Sequence, residues 1–202
     1  LALFFIIGCA VGSFLNVIVE RTIRGEGVIF GRSHCDFCNA KLSTFDLIPI
    51  LSFVGLGARC RYCKKKLSWQ YPAVETLCGI LFVCTFYIVF ANGNVSLFSL
   101  LYFLFIISVF VIVFVVDFKY SLIPTTFVFA ASLVALFYNY FNLSSQEFVA
   151  SALSAALIAL SFLTIVLITR GRGMGSGDVP LVFLLGLFLT WPENIVGVFL
   201  SF

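Results

Sequence analysis

The chain alternates long apolar runs with short polar segments. A helix that crosses a membrane needs about 20 mostly apolar residues, and by that measure the sequence predicts seven spans, the last one incomplete. The runs are 1–19, 72–91, a third that ends at Val116, 122–141, 148–168, 179–191 and 195–202. Asn92-Gly93-Asn94 supplies the turn between the second and third runs. We expect an all-α, multi-pass integral membrane bundle over residues 72–202, preceded by span 1–19 and a polar loop over 20–71.

Composition supports a membrane protein and excludes a soluble domain. The chain is 62% hydrophobic and 10% charged, with a mean hydropathy of +1.16, values typical of polytopic membrane proteins. The sequence opens on Leu rather than Met, and we expect both ends to be trimmed.

Basic residues predict which side of the membrane each loop occupies. Nine of the twelve Lys and Arg residues lie in 20–71, and the other three are Lys119, Arg170 and Arg172. The intervening loops, 92–94, 142–147 and 192–194, contain none. Because cytoplasmic loops carry the excess of Lys and Arg, the pattern predicts that 20–71, 117–121 and 170–178 are cytoplasmic.

Two aspartates lie where apolar runs meet basic segments at this predicted face. A carboxylate at bilayer depth costs roughly 2.5–3.5 kcal/mol on insertion scales, so Asp117 and Asp178 are candidates for function. Asp178 alone also has a structural interpretation, because a helix N-terminus favours a carboxylate. Asp117 follows a run and falls at a helix C-terminus, where that interpretation fails.

Asp178 ends the glycine-rich segment 171–178. Four glycines in seven residues disfavour a helix and allow another chain to approach closely. An extended peptide substrate would use such an approach. A phosphate-binding loop is the rival interpretation, but no Gly-Lys-Ser/Thr follows and no strand–loop–helix context is present.

These motifs resemble those of the type IV prepilin peptidases, which are GxGD aspartyl proteases. The similar segments are Gly175-Ser176-Gly177-Asp178, Asp117 to Pro124 (D-x5-I-P), Gly12 to Val17, Arg59 to Cys63, and Tyr71-Pro72 with Glu75. They occur in the family's order over nearly the whole chain. The sequence departs from the family at Pro180, where members usually carry Lys, and we expect seven spans where members generally have an eighth helix.

The resemblance implies a membrane aspartyl endopeptidase that removes the basic leader from prepilin or pseudopilin substrates at the cytoplasmic face of the bacterial inner membrane. Asp117 and Asp178 would be catalytic, with Gly175 and Gly177 in the active-site loop. It also implies methylation of the new N-terminus with S-adenosyl-L-methionine, by residues that the sequence does not identify. The process served could be pilus assembly, type II secretion or competence for DNA uptake.

Four cysteines in the polar loop form two C-x2-C pairs, Cys35/Cys38 and Cys60/Cys63. Paired C-x2-C turns at this separation are typical of a tetrahedral structural zinc site. Disulfides are the alternative, but a cytoplasmic loop is kept reduced. Between the pairs, the largely apolar stretch 47–57 is too short to span, and we expect it to lie against the membrane surface or to cap the site.

Other polar residues near this face receive structural interpretations. Gly12, Ser13 and Asn16 share a helix stripe of the kind that serves helix association, and Glu75 suits a capping position in a first helical turn. Lys64-Lys65-Lys66 is a juxtamembrane basic segment attracted to anionic lipid. The expected partners are therefore pilin-like substrates and the bilayer, and no nucleic acid.

Two alternatives belong to other classes of protein. A zinc-anchored membrane transporter would need polar residues through the bilayer midplane, and here the spans are nearly pure hydrocarbon away from one end. A presenilin-like intramembrane protease would carry its first aspartate in a Tyr-Asp pair, whereas residue 116 is Val.

Overall fold

The computed structural model describes residues 1–27, 33–35, 37–91 and 96–201. The predicted turn at 92–94 and part of the polar loop lie outside the described residues. The helices are α1 (Ala2–Arg24), a 3₁₀ turn (Thr44–Leu47), α2 (Leu51–Gly55), α3 (Gln70–Ala91), α4 (Leu97–Tyr120), α5 (Thr125–Asn142), α6 (Ser145–Thr169), α7 (Asp178–Leu189) and α8 (Glu193–Ser201). The chain divides into two compact units, Leu1–Val115 and Val116–Phe202.

Helices occupy all seven apolar runs, which confirms the all-α membrane fold. Four of them, α1, α3, α4 and α6, are long and apolar enough to cross a membrane. The fourth, sixth and seventh runs form α5, α7 and α8, which have 18, 12 and 9 residues. The count of seven crossings stays a prediction.

The first unit is built on close packing between α1 and α3. A Cβ added at Gly12 would lie 2.8 Å from the Cα of Glu75, and one at Gly8 would lie 2.6 Å from the Cys78 carbonyl oxygen. Opposite them, a Cβ at Gly79 would meet the Phe5 ring at 2.7 Å. Small residues let membrane helices approach closely, so the expected role of Gly12 in helix association is confirmed.

The second unit holds α7 among α5, α6 and α8. At 12 residues, α7 is only about 18 Å long, and its last carbonyls need partners because no helix continues beyond Leu189. Three hydrogen bonds surround this break: Asn139 Nδ2 to the Leu187 carbonyl (2.9 Å), Asn194 Nδ2 to the Gly186 carbonyl (3.3 Å), and the Trp191 N–H to Ser151 Oγ (3.1 Å). Asn139, Asn194 and Ser151 are all buried. Side chains therefore satisfy backbone groups that lipid could not.

Candidate protease and metal sites

Asp178 is the first residue of α7 and is partly buried. Its Oδ2 accepts the Gly175 N–H at 2.9 Å, and its own N–H donates to the Gly175 carbonyl at 3.2 Å. These two bonds close a tight turn at a helix N-terminus, where backbone dipoles favour a negative charge. The Asp178 carboxylate is thus fixed by the glycine loop that precedes it.

Asp117 lies in the last turn of α4, which extends four residues beyond the predicted apolar run that ends at Val116. Its carbonyl accepts the Ser121 N–H at 2.7 Å, and the residue is exposed. Within the part of the chain that the structure describes, no hydrogen bond or ion pair engages the Asp117 side chain. That carboxylate is therefore open to a water molecule or a substrate group.

The segment after Asp117 meets the glycine before Asp178. A Cβ added at Gly177 would lie 2.9 Å from the Cβ of Ile123, which belongs to the Asp117-to-Pro124 motif. Neither Gly175 nor Gly177 has a positive φ, so Gly177 is needed for space rather than for an unusual backbone conformation. The structure brings the two motifs into contact, while the direct pairing of the two carboxylates stays a prediction.

The polar loop of the first unit contains two turns of identical hydrogen bonding. Cys35 N–H donates to the Ala40 carbonyl and Cys60 N–H to the Lys65 carbonyl, at 3.0 and 2.9 Å. In each turn the residue four positions after the first cysteine donates its N–H to the carbonyl of that cysteine, and an isolated β-bridge, His34–Lys41 or Arg59–Lys66, flanks the turn. Those fourth residues, Asn39 and Lys64, both have a positive φ. Each C-x2-C pair therefore sits in one copy of a repeated turn, offset by 25 residues.

The repeated turns bring the four cysteine sulfurs together. The Sγ atoms of Cys35, Cys38, Cys60 and Cys63 all lie within 4.8 Å of one another, and those of Cys35 and Cys63 are 3.9 Å apart. Zn–S bonds near 2.3 Å in a tetrahedron place sulfurs about 3.8 Å apart, whereas a disulfide requires about 2.05 Å. All four cysteines are free thiols, so the donor set fits a tetrahedral metal and not two disulfides.

The loop also favours one thiolate before any metal arrives. The N–H groups of Cys63 and then Tyr62 donate to Cys60 Sγ and, with the thiols of Cys35 and Cys63, lower the pKa of Cys60 to about 7 against the opposing effect of burial. Metal ligation by cysteine requires the thiolate. The two turns are joined further by the Lys65 ammonium, 4.5 Å above the Phe37 ring centre.

A buried polar cluster lies at the α1–α3 contact and includes Asn16, which was expected to serve helix association; the partners of Asn16 were not foreseen from the sequence. Asn16, almost fully buried, donates to the Tyr71 carbonyl at 3.3 Å and accepts from Gln70 Nε2 at 3.4 Å. The Tyr71 hydroxyl donates to Glu20. These bonds hold the start of α3 against α1.

The expected capping role of Glu75 is wrong. Glu75 is the sixth residue of α3, beyond its first turn, and its Oε2 accepts the N–H of Ile50 at 2.7 Å. Its carboxylate also accepts a hydrogen bond from Ser13. Glu75 therefore ties α2 of the polar loop to the two long helices. A charged residue within an apolar run was the signal for a specific partner of Glu75. The sequence could not identify that partner, Ile50, because it lies 25 residues away.

Two known protein families match the sequence of this chain. Residues 6–89 match the bacterial peptidase A24 N-terminal domain, and residues 103–202 match the type IV leader peptidase family. No solved structure matches the chain.

Relatives from several bacteria are named "Prepilin leader peptidase/N-methyltransferase". The protein from Myxococcus xanthus (strain DK1622) is 32% identical over 97% of this chain and 58% of its own length. Those from Bacillus subtilis (strain 168) and Klebsiella pneumoniae are 32% and 30% identical, over 94% and 93% of this chain and 73% and 84% of their own lengths. The chain belongs to the type IV leader peptidase family, as its motifs predicted. It spans little more than half the length of the Myxococcus relative.

Proposed function

We propose that the chain is a membrane aspartyl endopeptidase that removes the leader from prepilin-like proteins, with Asp117 and Asp178 as its catalytic pair. The contact of Ile123 with Gly177 carries the proposal. It joins the segment that follows one aspartate to the loop that ends in the other. Relatives named as prepilin leader peptidases support the substrate class.

The chemistry follows from two carboxyl groups that share one site. Because two neighbouring carboxylates do not both ionise readily, one keeps a proton while the other removes a proton from water. The water oxygen attacks the scissile carbonyl carbon as the protonated aspartic acid donates to the carbonyl oxygen. The resulting tetrahedral intermediate breaks its C–N bond as the aspartic acid that took the water proton donates it to the leaving amine, and a hydroxyl of the intermediate returns its proton to the other aspartate. The pair titrates as a unit, so neither aspartate is assigned alone as the acid.

The glycine loop suits the substrate as well as the aspartate. Gly175 holds the Asp178 carboxylate through its N–H, and the exposed segment around it leaves room for an extended peptide. We propose that the site lies at the cytoplasmic face of the bacterial inner membrane, because the segments that carry the two aspartates, 117–121 and 170–178, also carry basic residues. A basic leader would lie outside the bilayer there, and the apolar helix behind it within the bilayer.

We further propose a structural zinc ion on Cys35, Cys38, Cys60 and Cys63. Four protein ligands leave no open coordination position, so the ion would hold the loop rather than take part in hydrolysis. The relatives' names also include N-methyltransferase, and we propose that this chain methylates the new N-terminal amine with S-adenosyl-L-methionine as methyl donor.

Aspartate-to-asparagine variants test the catalytic pair. Asp117→Asn and Asp178→Asn should each lower leader cleavage by about 10²–10⁴-fold, measured on a purified prepilin with the enzyme in lipid bilayers. The double variant should be no slower than either single one, because residues that act as a unit are not additive. Glu26→Gln, which removes an exposed carboxylate of the polar loop, is the matched control and should retain activity. Near-normal cleavage by either single aspartate variant would refute the proposal.

A further inference from the structure

The short helix α2 of the polar loop has exposed apolar side chains on one side and a buried apolar side chain on the other. Leu51 and Val54 of α2 are 71% and 70% exposed, and Phe45 of the preceding 3₁₀ turn is 70% exposed. We call Phe45, Leu51 and Val54 the loop patch. Phe53, between Leu51 and Val54 in sequence, is buried and packs edge-on against Trp69, with ring centres 5.1 Å apart. The inner contact fixes α2, and the loop patch faces outward.

Hydrogen bonds set the level of α2 relative to the long helices. Glu75 accepts the Ile50 N–H at 2.7 Å, and Ile50 immediately precedes α2. The Cα of Glu75 lies against Gly12 of α1, and its carboxylate also bonds to Ser13. Helical side chains lean toward the helix N-terminus, so Ile50 lies within about one turn of the Gly12 level.

That level is still apolar on α1. Gly12 and Ser13 fall well inside the uncharged run 1–19, and Phe14, the next residue, is 55% exposed. A helix as apolar as α1 exposes such a side chain to lipid when it crosses a membrane. The start of α2 therefore lies beside a part of α1 that is apolar enough to be surrounded by lipid.

We infer that α2 and the 3₁₀ turn lie in the bilayer interface, with the loop patch in contact with lipid acyl chains. Interfacial helices bury an apolar face in this way without spanning the membrane. Lys64, Lys65 and Lys66 in the same loop are exposed and would favour the anionic headgroups of the surrounding lipid. The inference depends on the membrane location of α1 and α3 and not on the proposed peptidase activity.

Quenching of tryptophan fluorescence by brominated lipid tests this contact. The chain has two tryptophans, so Trp69→Phe with Trp191→Phe provides a silent background in which a single reporter is added. Val54→Trp places the reporter in the loop patch. Lys41→Trp is the matched control, at an exposed position of the first cysteine turn in the same loop. Leu51→Trp is a second patch variant should Val54→Trp fail to enter bilayers.

The measurement compares the full chain in phosphatidylcholine bilayers with and without bromine near the top of the acyl chains. Because an interfacial helix buries its apolar face roughly 5–10 Å into the headgroup–acyl boundary, the Val54→Trp variant should be quenched several-fold more strongly than the Lys41→Trp variant. Equal quenching of the two would overturn the inference. Blue-shifted emission that bromine does not quench in the Val54→Trp variant would also overturn it, because the patch would then be covered by protein.

Discussion

Replacing Gly177 with alanine should slow cleavage by displacing the two catalytic segments from one another. The added Cβ would lie 2.9 Å from Ile123 Cβ, whereas carbon atoms in contact prefer about 3.5–4.0 Å. The shortfall is about 0.6–1.1 Å by that comparison. Ile123 Cβ is attached directly to the backbone, next to Pro124, so no side-chain rotation relieves the clash.

The size of the effect follows from that shortfall. Over-packing of this kind costs about 1–3 kcal/mol, and a shift near 1 Å at a catalytic site can reduce turnover about 10²-fold. We therefore expect Gly177→Ala to insert normally and to cleave prepilin about 10- to 100-fold more slowly. The assay is the initial rate of leader removal at saturating substrate in lipid bilayers.

Two further variants isolate the contact. Gly173→Ala makes the same chemical change in the same segment, but the atoms nearest to its Cβ belong to the Thr169 side chain, the first at 3.3 Å, and it should retain most activity. Gly177→Ala combined with Ile123→Gly removes the opposing Cβ and should recover part of the lost rate. Full activity in Gly177→Ala would refute the reasoning, and a double variant no faster than Gly177→Ala would show that Ile123 is not the cause.

Two predictions concern the polar loop. Cys35→Ser with Cys60→Ser should abolish zinc binding and expose the loop to proteolysis, since structural zinc supplies about 10–16 kcal/mol in small zinc-binding peptides. Elemental analysis of the parent protein under reducing conditions measures the bound metal, and less than about half an equivalent would contradict the site. Burial raises the pKa of Asp46, but hydrogen bonds from Ser43 and Arg61 outweigh it and hold that pKa below its usual value near 3.8. The ionised carboxylate therefore stabilises the loop above that pH, and the stabilisation is lost as the pH falls through the depressed pKa. Asp46→Asn should lower protease resistance relative to the parent at neutral pH. This difference should begin to narrow below a pH of about 3.8 and close once the pH passes the depressed pKa; a difference that does not change with pH would contradict the assignment.

The apolar runs predicted the long helices because run length alone decides whether a segment can cross a membrane. The helix ends were less predictable. Backbone hydrogen bonding carries α1 five residues beyond its run, to Arg24 and the left-handed Gly25, and carries α4 past Asp117 to Tyr120. A polar residue does not end a helix when its backbone groups still find partners.

The cysteine site was predictable because the two cysteines of each C-x2-C pair are only three residues apart in the sequence. The repeat of the two turns was also visible, as Cys-x-aromatic-Cys followed four residues later by Leu-Ser in both copies. The contacts of Glu75 with Ile50 and of Gly177 with Ile123 were not predictable, because each joins residues that only the tertiary fold brings together. Sequence spacing carries no information on such pairs.

Because of the hydrogen bonds around the C-terminal end of α7, the residues there differ in how well they tolerate substitution. Asn139 binds the carbonyl of Leu187, and every residue type has that carbonyl, so another apolar side chain at 187 would keep the bond. Asn139 cannot be replaced in the same way, because its side-chain amide is the hydrogen-bond donor. Gly186 is equally restricted, since a Cβ there would lie 2.9 Å from Ala155 Cβ. Asn139 and Gly186 therefore tolerate substitution far less than Leu187 as far as these contacts are concerned, because Leu187 contributes only its backbone carbonyl to the hydrogen bond.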